Sequence, residues 1–245
     1  NLLFIKKELV MDEFVDLPDT SGSRILDSLA LFWAAKQKFI NKRQVFKRGI
    51  LLWGAAGSGK SCLIMQMTKE LVLNNGVVFY VDNPELATNL LSVFRRVEPE
   101  RHLICILEDL DEMVARYGEH AILSLLDGDT QINNVAFIAT TNYPEKLAKR
   151  IINRPSRFDE VIKIDMPSDS ARRVYLRTRL SEDEVSNDHL EKWVSDTKGL
   201  SIAHLRELVV CVYCLGREYD VTLHRLRRMD SVMNRSTADD KKVGF

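Results

Sequence analysis

Eight residues constrain this chain more than any others: Gly54-Ala-Ala-Gly-Ser-Gly-Lys60-Ser61, set between an apolar run at 50–53 and a helical pattern over 60–72. A strand, a glycine-rich turn and a helix in that order let successive backbone N–H groups turn inward around an anion. The helix N-terminus adds a positive dipole, the lysine reaches the outer phosphates of a nucleotide, and the hydroxyl beside it suits Mg²⁺. The stretch expected to hold ATP is therefore Gly54, Ala55, Ala56, Gly57, Ser58, Gly59, Lys60 and Ser61, with Cys62 following and Ser61 on the metal.

The remainder of the chain alternates in the way such a loop requires. Apolar runs at 77–81, 103–107, 135–139 and 161–164 read as further strands, and 85–97 reads as a second helix. Strands that are apolar on both faces and separated by helices imply a parallel sheet covered on both sides. The expected fold is thus an α/β P-loop NTPase with a doubly wound five-stranded parallel sheet and a small C-terminal helical lid, with ligand at the carboxyl ends of the strands. The expected organisation is an N-terminal helical or linker segment at 1–45, holding an amphipathic stretch at 25–39, and a nucleotide-binding domain at 46–167. A helical lid at 168–217 follows, with helices at 168–179, 187–197 and 201–215, and then a charged tail at 218–245, rich in Arg, Asp and Ser and expected to be partly disordered. A chain of 245 residues, 45% of them hydrophobic, has room for one sizeable core and a small second one.

A phosphate cradle alone does not split ATP; one carboxylate must serve the metal and another must polarise the attacking water. The run Leu103-Ile-Cys-Ile-Leu107 ends in Glu108-Asp109-Leu110-Asp111-Glu112. We assign Glu108 to the Mg²⁺ side and Asp109 to the water, because a later register would place charges inside the strand; a solvated acidic loop is the alternative. The strand at 135–139 ends in Thr140-Thr141-Asn142, and an amide there would stand beside the central strand end, where it can sense the outermost phosphate or orient the water.

These motifs, followed in order by Leu125-Leu-Asp-Gly128, the Ala139-Thr-Thr-Asn142 strand end and Asn153-Arg-Pro-Ser-Arg-Phe-Asp159, resemble the AAA group of the AAA+ ATPases over residues 49–215. The resemblance implies an oligomer, usually a hexameric ring, with ATP bound between subunits. It makes Asn142 the sensor residue and Arg154 and Arg157 arginine fingers that reach a neighbour's site, with structural ion pairing as their other reading. It also places Ala203, in Gly199-Leu-Ser-Ile-Ala-His-Leu205, at the start of the lid's sensor helix, and gives the Val15-Asp16 pair a part in the adenine pocket. The chain departs from most unfoldases of the group: Tyr80-Val81-Asp82-Asn83-Pro84 leaves no room for an aromatic peptide-gripping loop. That departure, the Glu108-Asp109 order, the Phe32-Trp33 pair and Phe46-Lys-Arg-Gly are similar to the mitochondrial translocase of a folded iron-sulfur protein and its bacterial and viral relatives, here without the membrane anchor.

The 35 basic and 35 acidic side chains cancel, so no overall field draws the chain to nucleic acid or an anionic membrane. The local basic sets at 42–48 and 225–228 lack interleaved aromatics, which leaves nucleic-acid binding conceivable but unsupported. No apolar run approaches the roughly 18–20 residues needed to cross a bilayer. Of the cysteines at 62, 105, 211 and 214, two lie in segments read as a buried helix and a buried strand, and the 211/214 pair reads as core packing rather than zinc, which suits a reducing, cytoplasmic setting. The functional expectation is Mg-dependent ATP hydrolysis between subunits, coupled to remodelling of a protein or protein–nucleic acid assembly. The alternatives are an ATP-controlled loader beside a DNA replication or recombination complex and an ATP-stabilised structural ring or filament; the protein substrate is unknown.

Overall fold

The computed structural model describes residues 15, 17–18, 21–127, 132–152, 154, 156–181 and 186–239. Its contacts divide the chain into two units: 21–56 with 60–164, and 165–239 together with 15, 17–18 and 57–59.

In the first unit, β1 (Lys47–Trp53), β2 (Val77–Tyr80), β3 (Leu103–Leu107), β4 (Val135–Thr141) and β5 (Glu160–Lys163) form one parallel sheet in the order β2-β3-β4-β1-β5. Alternate side chains of each central strand feed two separate cores, as the period of a strand dictates. Leu51, Leu103, Cys105, Leu107, Val135 and Phe137 meet α4 (Pro84–Val97) and α5 (Leu110–Asp127) on one face, while Ile50, Leu52, Ile104, Ile106 and Ile138 meet α1 (Ser21–Ala34) and α3 (Lys60–Leu73) on the other. Each such buried aliphatic side chain contributes about 1.5–3 kcal/mol. The doubly wound sheet expected from the apolar runs is therefore present.

Several elements differ in extent from the sequence reading, each for an identifiable reason. The stretch at 25–39 is two helices, α1 and α2 (Lys36–Asn41), which break at Ala35. Phe46 is 1% exposed and fixes them to the sheet, its ring stacked on Phe32 at 4.3 Å and edge-on to Phe39 at 5.2 Å. Strand β1 starts at Lys47 rather than 50 because its first two side chains have partners: Lys47 donates to the Leu126 carbonyl at 2.6 Å and Arg48 pairs with Glu160 at 2.7 Å. Helix α5 was not anticipated, since its acidic first turn read as loop; Gly118 (φ 78°, ψ 158°) interrupts it, a conformation glycine adopts freely. Only Val81, Asp82 and Asn83 separate β2 from α4, and Asn83 caps that helix by accepting from the N–H groups of Glu85 and Leu86.

A short helix, α6 (Lys149–Ile152), precedes β5 in the first unit; in the second unit, α7 (Asp169–Arg179), α8 (Asn187–Asp196) and α9 (Ile202–Val209) enclose a core of Tyr175, Leu176, Leu190, Trp193, Leu205 and Leu208. Serines 168, 186 and 201 cap the three helices. Helix α9 passes into one π-turn, Val210–Cys214. Of the charged tail expected at 218–245, residues Tyr219–Asp239 form a helix, α10, because Leu223 and Leu226 enter this core and Tyr219 stacks on Trp193 at 4.6 Å; residues 240–245 lie outside the described residues. Cys62 and Cys214 are exposed, against expectation; Cys105 and Cys211 are buried, and all four are free thiols. No described helix is long and apolar enough to cross a membrane.

Candidate functional site

The sheet register brings three of the expected motifs together. Leu107 pairs with Ala139 and Trp53 with Thr141, so the carboxyl ends of β3, β4 and β1 stand side by side. The residues that follow these ends are Glu108 and Asp109, Asn142, and Gly54. A cleft of about 380 Å³ opens where β2 and β3 end, lined by Tyr80, Asp82, Glu108, Asp109, Glu112 and Tyr117 among others.

Lys60 is 7% exposed and directs its ammonium group into this convergence. Its three protons go to the Gly54 carbonyl at 2.8 Å, the Ala55 carbonyl at 2.9 Å and Asn142 Oδ1 at 2.7 Å. Burial pushes its pKa below the ordinary lysine value, and the negative charges of Asp109 and Asp111 oppose that shift. In the loop before it, Gly57 (φ 76°) and Gly59 (φ 107°) are in the left-handed region that side chains disfavour. The Ser58 hydroxyl is buried and has no hydrogen-bond partner among the described residues. A loop with its glycines turned and a buried polar atom unused suits an acceptor-rich group such as a polyphosphate. Ser61 and Cys62 open α3 on its exposed side.

Asp109 is one of the described non-glycine residues with positive φ, at 49°. Its N–H donates to Thr140 Oγ1 at 3.1 Å, and its carbonyl accepts from the N–H groups of Glu112 and Met113 at 2.9 and 3.0 Å. The next threonine does different work: Thr141 Oγ1 donates to Asp111 Oδ1 at 2.6 Å and accepts from the Tyr143 N–H at 3.0 Å, bracketing Asn142. Neither hydroxyl was identified from sequence. Two threonines closing an otherwise apolar strand were the available signal.

The two arginines of the expected finger pair are in opposite situations. Arg154 is exposed, and its side chain makes no hydrogen bond or ion pair among the described residues. Arg157 is 6% exposed; its Nε donates to Asp127 Oδ2 at 3.0 Å and its guanidinium also binds the Arg150 carbonyl. Of the two readings given to Arg157, arginine finger and structural ion pair, its burial and its partners favour the second, with its charge matched inside its own chain. Asp127 also faces Lys47 at 3.6 Å. Burial alone would raise the Asp127 pKa, but the hydrogen bond from Arg157 and the charge of Lys47 carry it below the ordinary value. Gly49 lies against the same turn: a Cβ on it would stand 1.7 Å from the Arg157 carbonyl oxygen, and its N–H donates to Asp159 at 2.9 Å. Gly128, Asn153 and Pro155 of these motifs lie outside the described residues.

In the second unit, Ala203 is exposed in the first turn of α9, which Ser201 and His204 cap reciprocally. Val15 packs on the apolar core of that unit; Asp16 lies outside the described residues. Among the described residues, no group of three or more His, Cys, Asp or Glu is placed to hold a metal ion. A P-loop site asks for no such group, since a hydroxyl and the phosphates supply most of the metal's ligands.

Comparison with known proteins agrees with this geometry. Residues 50–166 match the family described as "ATPase family associated with various cellular activities (AAA)". The chain is 28% identical over 182 residues to the ATPase family gene 2 protein of Schizosaccharomyces pombe, an alignment covering 66% of this chain and 22% of that protein. It is 24% identical to the human ATPase family gene 2 protein homolog A, covering 84% and 26% respectively. It is also 24% identical to the mitochondrial inner membrane i-AAA protease supercomplex subunit YME1 of Saccharomyces cerevisiae, covering 85% and 32%. The chain therefore spans a third or less of the length of these relatives. ATP binding and ATP-driven activity follow at the level of the family. With its glycine loop, acidic strand end and sensor strand in one parallel sheet, the region matched, residues 50–166, is an ATPase domain of the AAA+ superfamily.

Proposed function

We propose that this chain is a Mg-dependent ATPase that hydrolyses ATP between copies of itself and couples turnover to remodelling of a protein-containing assembly. The observation that carries the reading is the convergence of Lys60, Asn142, Glu108 and Asp109 at three adjacent strand ends, with Arg154 on the same unit exposed and without a side-chain partner among the described residues. Residues 54–62 would bind the triphosphate, and Ser61 with Glu108 would hold the metal. The ion supplies charge neutralisation across the phosphates. Lys60 exchanges its own-loop carbonyls and the Asn142 oxygen for phosphate, which leaves the Asn142 amide available to orient water. Asp109 polarises that water and accepts its proton. Arg154 of a second copy, with a guanidinium not spent inside its own chain, adds positive charge where the transferring phosphoryl group is most negative. Likeness to a subunit of a protease supercomplex supports a protein assembly as the object of the work.

The test is a three-variant series. Lys60→Ala abolishes nucleotide binding; Asp109→Asn binds ATP without turning it over; Arg154→Ala removes the dependence of specific activity on protein concentration. Wild-type turnover by Asp109→Asn would refute the assignment.

A further inference from the structure

We infer that Thr140 is a positioning residue for this reaction: its hydroxyl holds the backbone of Asp109 in its left-handed conformation and so sets where that carboxylate stands. The inference rests on the reading of Asp109 as the water-polarising group.

Two facts make the backbone at Asp109 unusually consequential. The acidic pair runs Glu108-Asp109, so the group assigned to the water is the shorter of the two carboxylates. With only two side-chain torsions and one methylene, an aspartate cannot search for its position as a glutamate can; its main chain decides it. That main chain is at φ 49°, a region L-residues visit sparingly, and it persists only where the surroundings hold it. Here the residue is gripped on both sides. The α5 N–H groups of Glu112 and Met113 take its carbonyl, and Thr140 Oγ1 takes its N–H at 3.1 Å.

The Thr140 contact is specific to a hydroxyl. Strand β3 ends at Leu107, so by Asp109 the main chain has left the β4 ladder, and a side-chain oxygen on β4 accepts from its N–H. Thr140 is 3% exposed and succeeds the last residue of β4 that pairs with β3. Valine would fill the same volume and leave the Asp109 N–H without this acceptor. Because neighbouring strand residues face opposite ways, Thr141 cannot substitute; its hydroxyl is occupied by Asp111 and the Tyr143 N–H.

The experiment compares Thr140→Val and Thr140→Ser, reading kcat, KM for ATP and the affinity for a fluorescent ATP analogue. In Thr140→Val, kcat falls on the order of 10- to 100-fold, the cost of a misplaced reacting group, while nucleotide affinity stays within about twofold. Thr140→Ser, which keeps the oxygen, recovers most of the lost kcat. In single-turnover assays long enough to read the residual cleavage left when steady-state turnover by Asp109→Asn has stopped, adding Thr140→Val produces no further loss, because both act through one carboxylate. Wild-type kcat in Thr140→Val, a serine variant no better than valine, or additive losses in the double variant would each overturn the inference. If Thr140→Val gives no cooperative melt, Thr140→Ala against Thr140→Ser carries the same comparison. Full turnover by Asp109→Asn would instead remove the underlying reading; an inactive Asp109→Asn beside a fully active Thr140→Val would remove the role of Thr140 alone.

Discussion

Replacing Arg157 by alanine separates two uses of an arginine that look identical in sequence. In the structure the Arg157 and Asp127 side chains are 7% and 14% exposed and meet at 3.0 Å, with Lys47 the second cation at 3.6 Å. Removing one partner of a buried ion pair costs about 3–5 kcal/mol when the other charge is left uncompensated. Asp127 retains Lys47 and some contact with water, so we take a smaller loss of about 2–3 kcal/mol. In a protein of this size about 1 kcal/mol lowers Tm by roughly 2–4 °C, so Arg157→Ala should melt about 4–12 °C below the parent. Thermal unfolding followed by circular dichroism reads this directly. Arg154→Ala, at an exposed and unpaired position, is the control and should melt within about 1–2 °C of the parent. Arg157→Lys should fall between, since it keeps the charge and loses the fork that reaches both Asp127 and the Arg150 carbonyl. A parent-like melt of Arg157→Ala, with loss of concentration-dependent turnover, would refute the structural role and return Arg157 to a neighbour's site.

Asp127→Asn should destabilise the fold at neutral pH by an amount that shrinks in acid. The folded-state pKa of Asp127 lies below its ordinary 3.8, so its ion pairs stabilise above that value and are lost as pH falls through the folded one. Tm of parent and variant measured from pH 7 to pH 3 should converge, and a constant gap would refute the assignment. Gly49→Ala should cost more than about 3 kcal/mol and yield little soluble protein, since its Cβ meets a backbone oxygen at 1.7 Å and no rotamer relieves it; a parent-like melt would contradict the close approach. Leu226→Ala, at a position 1% exposed, should destabilise the second unit by about 2–5 kcal/mol, read by hydrogen exchange in α7 to α9; unchanged protection there would mean that α10 does not belong to that core.

What could be read from the sequence, and what could not, divides by the range of the physics involved. The P-loop, the strand ending at Leu107 and the strand leading to Asn142 are local: periodicity and composition within about ten residues determine them, and parallel pairing then puts their ends side by side. Helix α10 was missed for a related reason, because its charged composition resembles a solvated tail and its helicity depends on Leu223 and Leu226 finding a core contributed by residues 175–208. The arginines show the limit most sharply. Arg154 and Arg157 share one turn, joined by an N–H of one and the carbonyl of the other, and carry the same charge. Only the fold reveals that Asp127, thirty positions earlier, neutralises the second and not the first. Arg157 is tied to the end of α5 and Gly49 lets its backbone lie against β1, while the Arg154 side chain is exposed and has no partner among the described residues. Under the proposed function, in which Arg154 acts on another copy, a fixed neighbouring residue limits what ordering that side chain would cost.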